Sequence, residues 1–265
     1  MLYRYVAIDL DGTLLDDQKR ISSVNVESIN HLSSRGVQFI FISGRHYREI
    51  VEPLLTYGVN EIRYVICRDG QYIYKDGIIL HEGSQLSVYD IERILDISRA
   101  RRVFCSNTEK DYTIYTSFLR YLKSCFRNKK DDGTIHIPLL LAKIKRCIVG
   151  KAIFFNWEVN GENIIEQLKR YYTVHFVNNR EYDIFPLDVN KYAALQWLSN
   201  NEKINLNELL YFGDDYNDIE CFKSLRHCIV MRNAPKDLWK YSMLNDIKTN
   251  NEDGVADALL RLYNK

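Results

Sequence analysis

The first part of the chain alternates short apolar runs with segments of helical spacing, and this order constrains the fold more than any other feature of the sequence. Three apolar runs predict strands, at Tyr3–Leu10, Val37–Ile42 and Tyr64–Cys67. Apolar residues at helical intervals predict two connecting helices, at Ser22–Arg35 and Arg45–Tyr57. A β-α-β-α-β order is typical of a parallel sheet with helical crossovers.

The same alternation returns near the end of the chain, whereas the middle mixes short strands and helices. Strands are predicted at Leu209–Phe212 and Cys228–Val230, and helices at Lys191–Asn200, Tyr216–Ser224 and Gly254–Leu262. We therefore predict an α/β fold with a doubly wound parallel-sheet core. Residues 1–81 and 186–265 would form this core, and residues 82–185 an inserted α+β domain.

The composition excludes several classes of protein. With 46% hydrophobic residues, 12 Gly and 4 Pro, the chain is neither disordered nor collagen-like. A net charge of +1 does not favour a general nucleic-acid binder. No run reaches the roughly 18 apolar residues of a membrane span, and we do not expect the N-terminal segment, interrupted by Arg4, to be a signal peptide. The six Cys lack metal-binding spacing, so we expect a cytoplasmic protein with reduced thiols.

Carboxylates directly follow the first predicted strand, in the segment Asp9-Leu10-Asp11-Gly12-Thr13. Side chains two positions apart start on the same side of a strand, and paired carboxylates repel each other unless a cation or a proton intervenes. Gly12 permits a sharp turn. A solvated acidic turn is the alternative interpretation, and a calcium loop does not fit because it needs Gly at its sixth position.

A second acidic cluster follows the predicted strand at Leu209–Phe212. It reads Gly213-Asp214-Asp215-Tyr216-Asn217-Asp218. A surface loop could have this composition, but two neighbouring parallel strands would bring both clusters to one edge of the sheet. Such an oxygen-rich site suits Mg²⁺.

Two further segments fit a phosphate site. Ser43, Gly44 and Arg45 follow another predicted strand, where exposed N–H groups would accept a phosphate, although an ordinary Ser N-cap is the alternative. Lys191 precedes a predicted helix, and a solvated surface lysine is its alternative interpretation.

Together these motifs resemble those of the haloacid dehalogenase superfamily and, within it, the Cof-like class IIB phosphatases. The resemblance covers essentially the whole chain, and four motifs match in order, at Asp9–Thr13, Ser43–Arg45, Lys191 and Gly213–Asp218. It implies a cap inserted after the third strand, here residues 82–185, that determines substrate specificity.

The resemblance also implies a role for each residue. Asp9 would attack a phosphate monoester to form an aspartyl phosphate, and Asp11 would be the general acid and base. Mg²⁺ would be held by Asp9, Asp11 (through its main-chain carbonyl) and Asp214. The phosphate would be bound by Ser43, Gly44, Arg45, Lys191 and Asn217. Supporting roles fall to Gly12, Thr13, Asp215 and Asp218, of which Asp218 would orient Lys191 or water on the metal.

A few positions depart from the family pattern. Asp69 stands where Asn is usual and adds an acid near the expected cap hinge. Asp188 and Tyr192 replace small residues around Lys191, and Arg232 replaces a common Gly. None of these departures removes a proposed ligand.

The near-neutral total conceals an uneven distribution of charge. Residues 99–151 carry 13 basic and four acidic side chains, a net charge of +9, which leaves −8 for the rest of a chain whose total is +1. A solvated surface is one interpretation, and a basic lid that attracts an anionic substrate is the other.

The sequence thus predicts a Mg²⁺-dependent phosphatase of small phosphorylated metabolites, such as sugar phosphates or a phosphorylated cofactor. One alternative is a phosphomutase that uses the same aspartyl phosphate. The other is a non-catalytic protein that binds a phosphorylated ligand or RNA, which the intact pair of Asp9 and Asp11 disfavours. A membrane or nucleic-acid partner is not expected.

Overall fold

The computed structural model describes residues 3–106, 111–127, 134–155, 162–177 and 181–263. The chain divides into two compact units. One comprises Met1–Gly83 with Asn190–Lys265 and is called the core unit below; the other is Ser84–Val189, called the inserted unit. The role of the inserted unit as a cap stays a prediction.

A seven-stranded sheet lies at the centre of the core unit. Its strands, numbered along the chain, are β1 (Tyr5–Asp9), β2 (Gln38–Ile42), β3 (Tyr64–Cys67), β4 (Tyr72–Lys75), β5 (Ile78–Glu82), β14 (Leu209–Gly213) and β15 (Cys228–Val230). Their order is β15-β14-β1-β2-β3-β4-β5, in which the first five strands are parallel, and β4 pairs antiparallel with both β3 and β5. Strand order reverses at β1 and β14, and ligands bind beside the carboxyl ends of strands at such a point. The predicted α/β class is confirmed.

Helices cover both faces of this sheet. They are α1 (Ser23–Ser34), α2 (Tyr47–Thr56), α7 (Lys191–Glu202), α8 (Ile219–Ser224) and α9 (Gly254–Tyr263). One apolar cluster joins the sheet to α1, α2 and α9, and a second joins its other face to α7 and α8. Because β1 is covered on both faces, all five of its residues are buried, as expected for a central parallel strand.

The start of α2 differs from the prediction. The helix begins at Tyr47, two residues later than expected, because His46 is extended (φ −70°, ψ 158°) and Glu49 accepts a hydrogen bond from its N–H at 2.9 Å. Ser43–Arg45 therefore form a loop, which frees the Arg45 side chain to turn back toward β1.

The inserted unit contains a six-stranded sheet made of β7 (Arg102–Ser106), β8 (Asp111–Tyr115), β9 (Ile135–Pro138), β11 (Lys151–Phe155), β12 (Tyr172–Val177) and β13 (Glu181–Pro186). The order of these strands is β12-β13-β11-β7-β8-β9. Two further short strands, β6 (Leu86–Ser87) and β10 (Ile148–Val149), pair with each other. The helices are α3 (Val88–Ser98), α4 (Phe118–Arg127), α5 (Leu139–Ile144) and α6 (Glu162–Lys169). Apolar periodicity does not predict β13, since Asp183 is buried on it through an ion pair with Lys151.

Within the described ranges, no helix has the length and apolar character needed to cross a membrane. Five cysteines there are free thiols, and four of them are buried, at Cys67, Cys105, Cys221 and Cys228. The Cys125 side chain lies outside the described residues.

Candidate active site

A buried lysine joins the two acidic clusters. Asp9 is the last residue of β1, and Lys191, at the start of α7, is 0% exposed. The Lys191 ammonium donates to Asp9 Oδ1 and to Asp218 Oδ1, both at 2.6 Å. Full burial excludes the solvated-surface interpretation of this lysine.

The position of Lys191 follows from two local features. The Asn190 side chain caps α7 by accepting a hydrogen bond from the Ala193 N–H at 2.8 Å. The turn after β3 approaches this cap so closely that a Cβ at Gly70 would lie 2.3 Å from the Asn190 carbonyl oxygen. Gly70 has φ +112°, so only glycine suits both the backbone and the space.

Asp218 organises the turn that follows β14. Its Oδ2 accepts the main-chain N–H groups of Asp214 and Asp215, at 2.9 and 3.1 Å, and its Oδ1 also accepts the Tyr211 hydroxyl at 2.6 Å. The Asp215 carboxylate bonds the Tyr216 N–H at 2.7 Å. Asp218 thus folds the loop and holds Lys191, whereas Asp215 supports the turn.

Asp214 packs against the turn after β1. Its carboxylate accepts the Thr13 hydroxyl at 3.0 Å and the Asn233 amide at 3.3 Å. The Asn233 amide also donates to the Gly12 carbonyl at 2.7 Å. Gly12 has φ +79°, and a Cβ there would lie 2.1 Å from Asp214 Oδ2. Gly12 is therefore required by the close approach of the two acidic loops.

Three acids form a group that fits a divalent cation. Asp9, Asp214 and Asp218 each offer a carboxylate oxygen, and these oxygens lie within 4.8 Å of one another. Burial raises the pKa of Asp9 well above its usual range, although the nearby Lys191 opposes this. Burial and the adjacent Asp218 raise the pKa of Asp214 to about 7. Crowded hard oxygen donors of this kind match the preference of Mg²⁺. The Asp218 carboxylate already accepts four hydrogen bonds, from Lys191, Tyr211 and two main-chain N–H groups, whereas one hydrogen bond to the Asp9 carboxylate and two to the Asp214 carboxylate are described. Asp9 and Asp214 are therefore the better candidate ligands.

Asp11 lies apart from this group. Arg45 holds its carboxylate with two hydrogen bonds, from Nε to Oδ2 at 2.6 Å and from Nη2 to Oδ1 at 2.5 Å, and Lys19 Nζ donates to Oδ1 at 2.6 Å. Partial burial would raise the pKa of Asp11, but the hydrogen bonds from Arg45 and Lys19 outweigh it and lower that pKa.

The predicted phosphate-binding residues come from the loops after β2 and β14 and from the start of α7. Ser43 is buried just beyond β2, and its hydroxyl accepts the Arg45 N–H at 3.3 Å. The Asn217 amide donates to Asp69 Oδ1 at 3.1 Å, and the same oxygen lies 3.9 Å from Lys191 Nζ. The loops after β2, β3 and β14 therefore meet around the lysine.

The sequence reasoning missed three residues that contact the site. Tyr211 binds Asp218, Asn233 binds Asp214, and Lys19 binds Asp11. The signal for Tyr211 in the sequence was a hydroxyl-bearing residue within the apolar run Leu209–Phe212. Asn233 and Lys19 lie in loops whose polar residues have no distinctive spacing.

Asp188, Tyr192 and Arg232, the other departures from the family pattern, contact residues other than the proposed ligands. The Asp188 carboxylate accepts the Ser84 hydroxyl at 2.6 Å. The Tyr192 hydroxyl accepts the Gln196 amide at 3.2 Å, and the Arg232 guanidinium lies 4.1 Å from the centre of the Trp239 ring.

The chain is similar to known phosphatases and hydrolases over nearly its whole length. Residues 6–259 match the sequence model of the haloacid dehalogenase-like hydrolases. The 5-amino-6-(5-phospho-D-ribitylamino)uracil phosphatase of Bacillus subtilis (strain 168) is 26% identical over 269 residues, covering 97% of this chain and 94% of its own. The HMP-PP phosphatase of Serratia proteamaculans (strain 568) is 25% identical over 244 residues, covering 88% and 85%. A solved haloacid dehalogenase-like hydrolase from B. subtilis has the same fold, with a TM-score of 0.74 at 22% identity over 98% of this chain and 99% of that one.

Proposed function

The chain belongs to the haloacid dehalogenase-like hydrolase family, and on this premise we propose that it is a Mg²⁺-dependent phosphatase of small phosphorylated metabolites. The observation that carries the proposal is the buried Lys191, held at 2.6 Å by both Asp9 and Asp218 beside the carboxyl ends of β1 and β14. An ammonium group that is buried away from solvent and held in place by acids is suited to bind an anionic phosphoryl group.

Asp9 is the proposed nucleophile. Lys191 binds its Oδ1, so Oδ2 is the oxygen that forms a bond to phosphorus while the bond from phosphorus to the ester oxygen breaks. The product of this half-reaction is an aspartyl phosphate and a free alcohol. Attack of water on phosphorus then releases inorganic phosphate and restores the Asp9 carboxylate.

Asp11 is the proposed general acid and base. It gives a proton to the leaving alcohol oxygen and later takes one from the attacking water. Arg45 and Lys19 favour the ionised form of Asp11, which is the form needed for the second half-reaction. For the first half-reaction Asp11 must carry a proton, so we propose that Arg45 leaves Asp11 for the phosphate when substrate binds.

Asp9 and Asp214, with the main-chain carbonyl of Asp11, would hold Mg²⁺. When bound, this ion offsets the repulsion between the carboxylates and a phosphate dianion. Thr13 and Asn233 fix the Asp214 carboxylate through hydrogen bonds at 3.0 and 3.3 Å. Ser43, Gly44, Lys191 and Asn217 would bind the phosphoryl oxygens, which makes catalysis largely a matter of positioning and charge neutralisation.

The inserted unit is proposed to select the substrate. Its basic segment, residues 99–151 with a net charge of +9, would attract anionic compounds. The relatives named for a phosphoribitylaminouracil and for HMP-PP support small phosphorylated metabolites as the substrate class. The cytoplasm stays the predicted location.

Hydrolysis of a generic aryl phosphate in the presence of Mg²⁺ tests this function. Asp9→Asn should reduce the rate by at least about 10³-fold, since it removes the nucleophile while keeping an acceptor for Lys191. Asp76→Asn, an identical change at an exposed turn residue, should leave the rate unchanged. An inactive wild type, or an Asp9→Asn variant as active as the wild type, would show that the proposal is wrong.

A further inference from the structure

We propose that the Asp69 carboxylate weakens the binding of phosphate dianions in this site by competing for the positive charge of Lys191. The inference rests on the proposed function, because it concerns the same phosphate site. It assigns a positioning and charge-setting role to a residue that departs from the usual Asn of the family pattern.

Asp69 lies among the groups proposed to bind phosphate. It is 2% exposed, and its main-chain N–H donates to the Ser43 carbonyl at 3.1 Å. Its Oδ1 accepts the Asn217 amide at 3.1 Å and lies 3.9 Å from Lys191 Nζ. Asp69 therefore contacts Ser43 through its main chain, and its carboxylate contacts Asn217 and neighbours Lys191.

The second oxygen of Asp69 lies against the loop after β2. A Cβ at Gly44 would be 2.9 Å from Asp69 Oδ2, so this oxygen occupies the space beside the glycine. The N–H groups of this loop are those expected to receive phosphate. The negative charge of Asp69 thus faces both the loop and the lysine.

Asp69 differs from the usual Asn in its negative charge and in having a second acceptor oxygen where Asn has an NH₂ donor. Asp69 has the left-handed conformation (φ 51°, ψ 30°), in which Asn and Asp are both enriched among non-glycine residues. The Oδ1 of an Asn could accept the same hydrogen bond from Asn217. Neither the backbone nor this hydrogen bond requires an acid, and the acid adds a negative charge 3.9 Å from Lys191 Nζ.

That charge opposes phosphate binding. Lys191 has three N–H donors, of which two are directed at Asp9 and Asp218. A phosphoryl oxygen would take the third, beside a third carboxylate at 3.9 Å. Because Asp69 faces the bound substrate and the transition state alike, its charge raises KM without changing kcat for the chemical step, and it speeds release of the phosphate product.

Calorimetric titration with inorganic phosphate in the presence of Mg²⁺ tests the inference, together with the KM and kcat for an aryl phosphate. Asp69→Asn should bind phosphate about tenfold more tightly, since a charge within 4–6 Å changes the equilibrium of a neighbouring ion by about that factor or more. Its KM should fall, and its kcat should not rise in proportion. The phosphate affinity of Asp69→Ala should increase less, because this variant also removes the hydrogen-bond acceptor of the Asn217 amide.

Asp76→Asn is the matched control. Asp76 also has positive φ, 49°, but it is exposed. It follows Lys75, which lies opposite Tyr64 in the β3–β4 register, at the end of β3 far from Asp69. Its phosphate affinity should equal that of the wild type.

A phosphate Kd for Asp69→Asn within twofold of the wild-type value, or weaker, would overturn the inference. If wild type hydrolyses the ester and Asp69→Asn binds phosphate no more tightly, the inference alone fails. If wild type binds phosphate without hydrolysing the ester, the proposed function alone fails, since the comparison of phosphate affinities remains valid. A purely structural role for Asp69 would reduce affinity in both variants.

Discussion

Gly12→Ala tests whether the two acidic loops approach each other as described. Gly12 has φ +79°, where a residue with a Cβ is destabilised by about 1–2 kcal/mol. Its Cβ would also lie 2.1 Å from Asp214 Oδ2, so the carboxylate must move. Forced shifts of this kind cost about 1–3 kcal/mol. The free energy of unfolding should therefore fall by roughly 2–5 kcal/mol in total.

Gly36→Ala separates the two contributions. Gly36 has a similar φ, +90°, at the end of α1, but nothing lies within 4 Å of the added Cβ. This variant should lose only the backbone contribution of about 1–2 kcal/mol. The difference between the variants then measures the displacement of Asp214.

Urea unfolding and the thermal shift caused by Mg²⁺ provide the assay. Ligand binding to the folded state stabilises it by about 2.7 kcal/mol at a concentration 100 times Kd. Wild type and Gly36→Ala should gain equal stability from Mg²⁺, and Gly12→Ala should gain little. Equal stability and equal Mg²⁺ response in the two alanine variants would refute the reasoning.

Three further substitutions probe the network around the lysine. Lys191→Met leaves Asp9 and Asp218 without their shared cation, so urea unfolding without metal should show a loss of about 3–5 kcal/mol, and a loss below about 1 kcal/mol would contradict the buried pairing. Arg45→Gln removes two hydrogen bonds to Asp11, so the pKa of that carboxyl should rise and the limb of the pH–rate profile that it controls should move to higher pH. The exposed Arg48→Gln should leave the profile in place, and an identical profile for Arg45→Gln would exclude the contact. Tyr211→Phe removes a buried donor to Asp218 and should cost about 1.5–3 kcal/mol in urea unfolding, whereas an unchanged midpoint would argue against that hydrogen bond.

The parallel core could be predicted from the sequence because its signals are local. Apolar runs such as Tyr64–Cys67 and Cys228–Val230 match the observed strands residue for residue. Two apolar runs are each followed by aspartates, and neighbouring parallel strands bring their carboxyl ends together. The sequence therefore predicted that Asp9 and Asp214 lie at one edge of the sheet.

The contacts within the site depend on tertiary geometry that no local pattern encodes. The partner of Arg45 is Asp11, 34 positions away, and the contact exists because α2 begins only at Tyr47. Tyr211 looked like an ordinary apolar strand residue, yet its hydroxyl binds Asp218. Asp69 was recognised as an unusual acid, but its distance of 3.9 Å from Lys191 required the fold.

Chemical trapping of the intermediate is the most direct test of the central claim, that Asp9 is phosphorylated during turnover. The enzyme would be mixed with an aryl phosphate and Mg²⁺, quenched in acid within one turnover and treated with borohydride, which reduces an acyl phosphate to an alcohol. Peptide mass spectrometry should then find homoserine at position 9 in the wild type and none in Asp9→Asn or in the absence of substrate. Rapid turnover with no reduction at Asp9, or with reduction at another carboxylate, would contradict the proposed mechanism.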